Sequence, residues 1–341
     1  MNKIKIWLIW IWNCAKSIVE WIQYYKEHSH KEVFWYKISD IDIVCAIDIG
    51  KNKVWKDLNL AIYEFPNNAY TIKKVENISW VKVILWNTLE GVFDKTIHLV
   101  SPIDNIEFNE LFFIEEIKKS WAEIFINMLP TWSDKASHYY ADLIINKLGL
   151  SFINWIPSKI INSWKYHSKK SVLVWDDIKS QLWGSILNRY INKIFNIRDN
   201  LFLDKMYQIN YAWNTDFLNL MYRWESKHKS KKNAVSNFDN IHVPTSINVS
   251  YVENMWDRKT CKINYEWRNF WNAPFNIKVE MEVEDSPNFA WSMLDVVRYV
   301  QKSLDLENYW ILENVSALYM KTPPKSIDEE LALKNINNFI F

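Results

Sequence analysis

The sequence predicts an α/β fold in which a parallel sheet is interrupted, late in the chain, by a smaller α+β insertion. Three observations carry this. Over the first half of the chain, short apolar runs recur between segments of helical spacing, the alternation that parallel strands joined by crossover helices require. After about residue 177 the runs become longer and alternate apolar with polar, as strands with one wet face do. Near residue 289 helical spacing returns, which brings the chain back to its first domain.

Each element has its own signal. KIKIWLIWI (3–11) reads as a buried strand, and Ala15, Ile18, Val19 and Ile22 give residues 13–25 a helical face. A polar stretch, 26–40, leads to a second strand, 41–47, ending at Asp48, and then to a helix around 51–63. Strands follow at 81–85, 123–129, 151–155 and 171–175, with helices at 107–119 and 133–148 between them. A helix at 178–195 precedes strand-like segments at 205–212, 247–252, 260–266 and 276–284, and 289–305 is helical again. The predicted domains are 1–198, an inserted 199–288, and a return over 289–341.

Composition narrows the function. The chain has 341 residues, with 41 Lys+Arg against 40 Asp+Glu, which disfavours a general binder of nucleic acid. No apolar run reaches the roughly 20 residues that span a bilayer, and residues 1–12 are too short and strand-like for a secretory signal. Cys14, Cys45 and Cys261 lie far apart without a CxxC pair, and the seven histidines are scattered. A cytoplasmic protein without a zinc or disulfide framework is expected.

The anomaly is 21 Trp beside 4 Gly. Tight turns, helix C-caps and phosphate loops need glycine, and adding the tryptophans restores a glycine share of about 7%. Trp-Asn stands at 12, 86, 213 and 271, Trp-Asp at 175 and 256, and Trp-Ser at 132 and 291; with glycine these are ordinary turn dipeptides. The sequence therefore predicts that most or all tryptophans are glycines in the native protein, its gene using UGA for glycine. The alternative is a Trp-rich carbohydrate-binding module with aromatic platforms, which leaves the missing glycine unexplained.

With glycine at Trp10 and Trp12, the first turn reads glycine-Ile-glycine-Asn-Cys-Ala between a strand and a helix. This is a Rossmann-type dinucleotide loop: the glycines allow the turn and a close backbone approach to the pyrophosphate, and Ala15 packs against the strand. Two indoles would bar the cofactor. Asn13 and Cys14 complete the loop, and Asp48 is placed to accept from the ribose hydroxyls, favouring NAD; its alternative role is to cap the next helix. Ser133, after Trp132, is an N-cap beside the cofactor or a plain N-cap.

VWDDIKSQLWGS (174–185), QINYAWNTDFLNL (208–220) and ESKHKSKKNAV (225–235) occur in this order, with WDRKTCKINYEWRNFW (256–271), EDSPNFAWSMLD (284–295) and LYMKTPPK (318–325) further on. Read with glycine for Trp, together with IWNCAKSIVEW (11–21), KVWKDL (53–58) and WNTLEG (86–91), they resemble the inositol-3-phosphate synthase family in its shorter prokaryotic form, over about residues 3–325. The resemblance implies NAD-dependent isomerisation of D-glucose 6-phosphate to 1D-myo-inositol 3-phosphate. C5 is oxidised, an enolate forms, its carbon closes on the C1 aldehyde, and C5 is reduced again.

Such a reaction develops oxyanions beside a phosphate, and fixed cations stabilise them. The family's lysines fall on Lys227, Lys231, Lys259 and Lys321, with Lys179 beside nicotinamide or substrate. Lys227 and Lys231, four apart, would share a helix face; without a bound anion, a plain solvated basic loop is the alternative for this stretch. The resemblance assigns Lys227 to proton transfer at the C5 hydroxyl and Lys231, Lys259 and Lys321 to oxyanion and phosphate contacts. The resemblance likewise implies that Asp216, Asp257 and Asp285 orient lysines and substrate hydroxyls and that Asn214 contacts substrate or cofactor. Asp177 lines the cofactor site, although Asp176 and Asp177 read equally as helix caps. A homotetramer is implied, and a divalent or monovalent cation is left open. Without the resemblance, the reading is a two-domain NAD-dependent oxidoreductase of unknown substrate.

Overall fold

The computed structural model describes residues 3–77, 79–86, 89, 97–103, 109–131, 133–166, 168, 170–198, 201–213, 217–218, 245–338 and 340–341. The chain forms two compact units, residues 1–179 with 289–341, and residues 180–288.

The first unit is built on a seven-stranded sheet. Its strands are β1 (Ile4–Ile9), β2 (Ile41–Asp48), β3 (Val83–Leu85), β4 (Ile124–Asn127), β5 (Ser151–Asn154), β6 (Val172–Leu173) and, from the returning segment, β11 (Trp310–Ile311). The order is β11-β6-β5-β4-β1-β2-β3 and every pairing is parallel. This is the doubly wound arrangement, whose order reverses between β1 and β4, and ligands bind outside the carboxyl ends of strands at that point. The strands read as continuous apolar runs because both faces are covered: Ile4, Ile6, Leu8 and Ile9 are all buried. Each such side chain contributes about 1.5–3 kcal/mol of burial.

Helices α1 (Asn13–Glu27), α4 (Glu110–Ser120) and α5 (Asp134–Ala141) match the periodic segments, α5 running on as a π-helical turn over Asp142–Lys147. The helix expected over 51–63 shrinks to α2 (Leu58–Ala61). Trp55 ahead of it is left-handed, which stops helix propagation, and Asp57 N-caps α2 through Asn59 N at 2.9 Å. A further short helix, α3, covers Ile97–Val100.

The second unit carries a four-stranded sheet of β7 (Phe202–Ala212), β8 (Thr245–Tyr251), β9 (Arg258–Arg268) and β10 (Pro274–Glu284), ordered β10-β9-β7-β8. Only β7 and β8 pair in parallel. Helix α6 (Gly184–Ile197) belongs to this unit, so the chain leaves the first unit ahead of the helix. Its core joins Phe195 to Met206, Cys261, Ile263, Tyr265 and Trp267. The fit is tight at Gly184, where a β-carbon would lie 2.7 Å from Cys261 Sγ. Helix α7 (Asp285–Asp305) starts four residues earlier than its spacing predicts and carries the chain back; α8 (Glu313–Tyr319) and α9 (Glu329–Asn337) finish the first unit.

Candidate functional site

In the first unit, β1 ends in a loop that turns into α1 as the sequence predicts. Trp10 is left-handed, with φ 83°, and its N–H donates to Ile47 O at 2.9 Å. Asp48, buried at the end of β2, accepts from Ile11 N (2.8 Å), Ile49 N (2.7 Å) and Gly50 N (2.8 Å). The carboxylate thus fixes the loop backbone, and with roughly four lone-pair sites it retains capacity for a ribose hydroxyl. It caps no helix, since Asp57 does that for α2.

Sequence reasoning missed Lys53. Its buried ammonium donates to Ile11 O and to Asn67 Oδ1 (2.7 Å), and lies 5.3 Å from the Trp12 ring centre. Burial pushes its pKa down to about 8 against the pull of Asp48 and Glu64. The residue stands in KVWKDL, but its partners are up to 42 positions away, so spacing could not announce them. Asn13 turns its amide onto residues 68–69, accepting from Asn68 N at 2.8 Å and Ala69 N at 3.1 Å. Cys14 is partly buried in the first turn of α1. Ser133 stands at the N-cap of α5 with its hydroxyl buried and making no hydrogen bond among the described residues.

Between the carboxyl ends of β1 and β2, Ile9, Trp10, Asp48, Trp86, Ala136 and Tyr140 help to line a cavity of ≈ 20 Å³, enough for a water molecule. The place and the backbone suit a dinucleotide. The side chains do not: the Trp10 and Trp12 indoles stack 5.1 Å apart in the loop, and a third indole, Trp86, lines the cavity.

Also in the first unit, Lys321 pairs with Asp177 at 2.5 Å, and Lys321 N donates to Asp177 O at 2.8 Å. Neither Asp176 nor Asp177 caps α6, which starts at Gly184. Asp176 instead accepts from Ile161 N, Asn162 N and Asn154 Nδ2, and burial raises its pKa to about 6. Lys179 is an anchor: its ammonium donates to Ala317 O (2.8 Å), Leu318 O (3.0 Å) and Glu329 Oε1 (3.0 Å), binding the end of α8 to α9.

In the second unit, Lys259 donates to both oxygens of Asp285, at 3.0 and 3.3 Å, beneath the ring of Trp183 at 4.7 Å. Asp257 accepts from Ser286 N (2.8 Å) and Ser286 Oγ (2.9 Å) at the first turn of α7. Burial, then the charge of Asp285, raises its pKa to about 8. Asn214, Asp216, Lys227 and Lys231 lie outside the described residues. Among the described residues there is no His/Cys/Asp/Glu group able to hold a metal, and no helix long and apolar enough to cross a membrane.

Residues 184–286 match the family model described as myo-inositol-1-phosphate synthase. The inositol-3-phosphate synthase of Mycolicibacterium smegmatis is 31% identical over 99% of this chain and 98% of its own. The chain belongs to the inositol-3-phosphate synthase family. Solved structures agree in fold. A myo-inositol-1-phosphate synthase-related protein from Thermotoga maritima superposes with TM-score 0.75 at 17% identity, covering 99% of this chain and 98% of that one. The inositol-3-phosphate synthase of Caenorhabditis elegans does so at 0.70 and 14%, covering 99% and 85%.

Proposed function

We propose that the chain is an isomerase closing D-glucose 6-phosphate into 1D-myo-inositol 3-phosphate. The observation that carries this reading is that a family member holds two of its expected lysines on carboxylates, Lys259 on Asp285 and Lys321 on Asp177. Ring closure places negative charge on the C5 oxygen as the enolate forms and on the C1 oxygen as the carbon–carbon bond forms. An ammonium already oriented by a carboxylate stabilises such charge without reorganising. Lys259 and Lys321, with Lys231, contact the oxyanions and the phosphate, and Lys227 moves the proton at the C5 hydroxyl. Asp257 acts through Ser286, holding the first turn of α7 and so the carboxylate that orients Lys259. Lys179 positions α8 and α9.

With glycine at 10 and 12, the loop backbone and the Asp48 carboxylate would hold NAD, whose chemistry is to accept a hydride and return it within one turnover. The test is a recombinant chain carrying glycine at the tryptophan positions, supplied with glucose 6-phosphate and NAD. Inositol phosphate should appear without net NADH. Accumulating NADH would favour a plain oxidoreductase, and no conversion at all would remove the synthase reading. A homotetramer is part of the proposal, and sedimentation tests it; the same assay after chelation reads a need for a divalent cation, and exchange of the buffer's monovalent salt reads a need for a monovalent one.

A further inference from the structure

The misfit at the dinucleotide loop is one instance of a pattern running through both units. We propose that the native protein carries glycine wherever this backbone turns left-handed at a tryptophan: at Trp10, Trp35, Trp55, Trp121, Trp164, Trp256, Trp271 and Trp310. The inference is independent of the proposed activity, because it rests on backbone sterics alone.

Among the described residues, 14 non-glycine residues have positive φ and 8 of these are tryptophan. A β-carbon in that region crowds the neighbouring carbonyl oxygen, which glycine alone avoids without cost and Asn or Asp tolerate. An aromatic residue there is an outlier, yet φ is 83° at Trp10, 67° at Trp55, 58° at Trp164 and 69° at Trp271. The local roles are glycine's as well. Trp121 follows the last turn of α4 and Trp164 follows a 3₁₀ turn, both in the left-handed closing position that glycine dominates. Trp271 and Asn272 are successive left-handed residues between β9 and β10. Gly149, after the π-helical turn, has the same conformation at φ 69°.

Packing is a separate observation, made at three tryptophans outside these eight. The Trp267 ring centre is 3.0 Å from that of Phe195, well inside the roughly 4.5–7 Å of ordinary aromatic pairs. Among the described residues, the buried indole N–H groups of Trp21, Trp175 and Trp267 have no hydrogen-bond partner, a state that native cores avoid. Trp7 shows the contrast. It is fully buried, donates to Ser120 Oγ at 2.7 Å and meets Phe113 edge-on at 5.1 Å. A sugar-binding platform accounts for none of this, since it does not require left-handed backbone.

Peptide mass spectrometry of the protein purified from its own source, together with the codons at these positions, tests the inference. Glycine residue mass at the eight positions, over UGA codons, is the expected result. Tryptophan mass there, or UGG codons, overturns it, whether or not the protein turns over glucose 6-phosphate.

Discussion

Position 121 offers a stability measurement that separates backbone strain from every effect of the indole. Trp121 follows α4 with φ 56° and ψ 28°, and its side chain is 75% exposed. Replacing it with alanine and with glycine removes the same ring, so the burial lost is common to both variants. They differ in the β-carbon, whose left-handed strain is about 1–2 kcal/mol, offset in part by the greater freedom of glycine in the unfolded chain, about 0.5–1 kcal/mol. Trp121→Gly is therefore expected to be more stable than Trp121→Ala by roughly 0.5–1 kcal/mol, a Tm difference of about 1–3 °C for a chain of this size. Exposed Glu115, inside the same helix, is the internal control. There the order reverses, with alanine favoured by about 1 kcal/mol. Thermal and urea melts of the four variants decide it: alanine equal to or better than glycine at 121 refutes the left-handed assignment.

Lys321→Ala, made in the glycine-carrying chain, should keep its unfolding free energy within about 1 kcal/mol, since a partly exposed ion pair contributes little, while turnover falls by about 10²–10³; unchanged turnover removes Lys321 from the site. Lys179→Met should instead destabilise by about 3–5 kcal/mol, because it leaves Glu329 and two helix-end carbonyls without their cation, and urea denaturation measures this. Lys53 has a folded pKa lowered to about 8 from 10.5, so between those values the unfolded chain binds more protons and stability rises with pH. Lys53→Met should flatten the pH profile between about 8 and 10; a slope retained in the variant assigns it elsewhere. Asp257 shifts the opposite way, up to about 8 from 3.8, so its contribution is full below pH 3.8 and is lost as pH rises through 8. Asp257→Asn should gain stability relative to the parent across that window, and parallel urea-midpoint profiles for the two proteins would contradict the assignment.

The sequence by itself determined the doubly wound class and most strand positions. Parallel strands buried on both faces must be apolar throughout, so β1, β2, β4 and β5 are visible in any window. It also exposed the glycine deficit, because turn chemistry depends on single residues and their immediate neighbours. Tertiary structure decided the rest. The helix expected at 51–63 gave way where Trp55 turns left-handed, and the two-residue β11 exists only because β6 offers it an edge. Lys179 finds acceptors up to 150 positions away. Lys53 and Asp48 meet the loop from 42 and 37 positions away. A buried charge is placed by whatever oxygen or N–H the fold brings within about 3 Å, and chain-distant partners of that kind leave no periodicity to read.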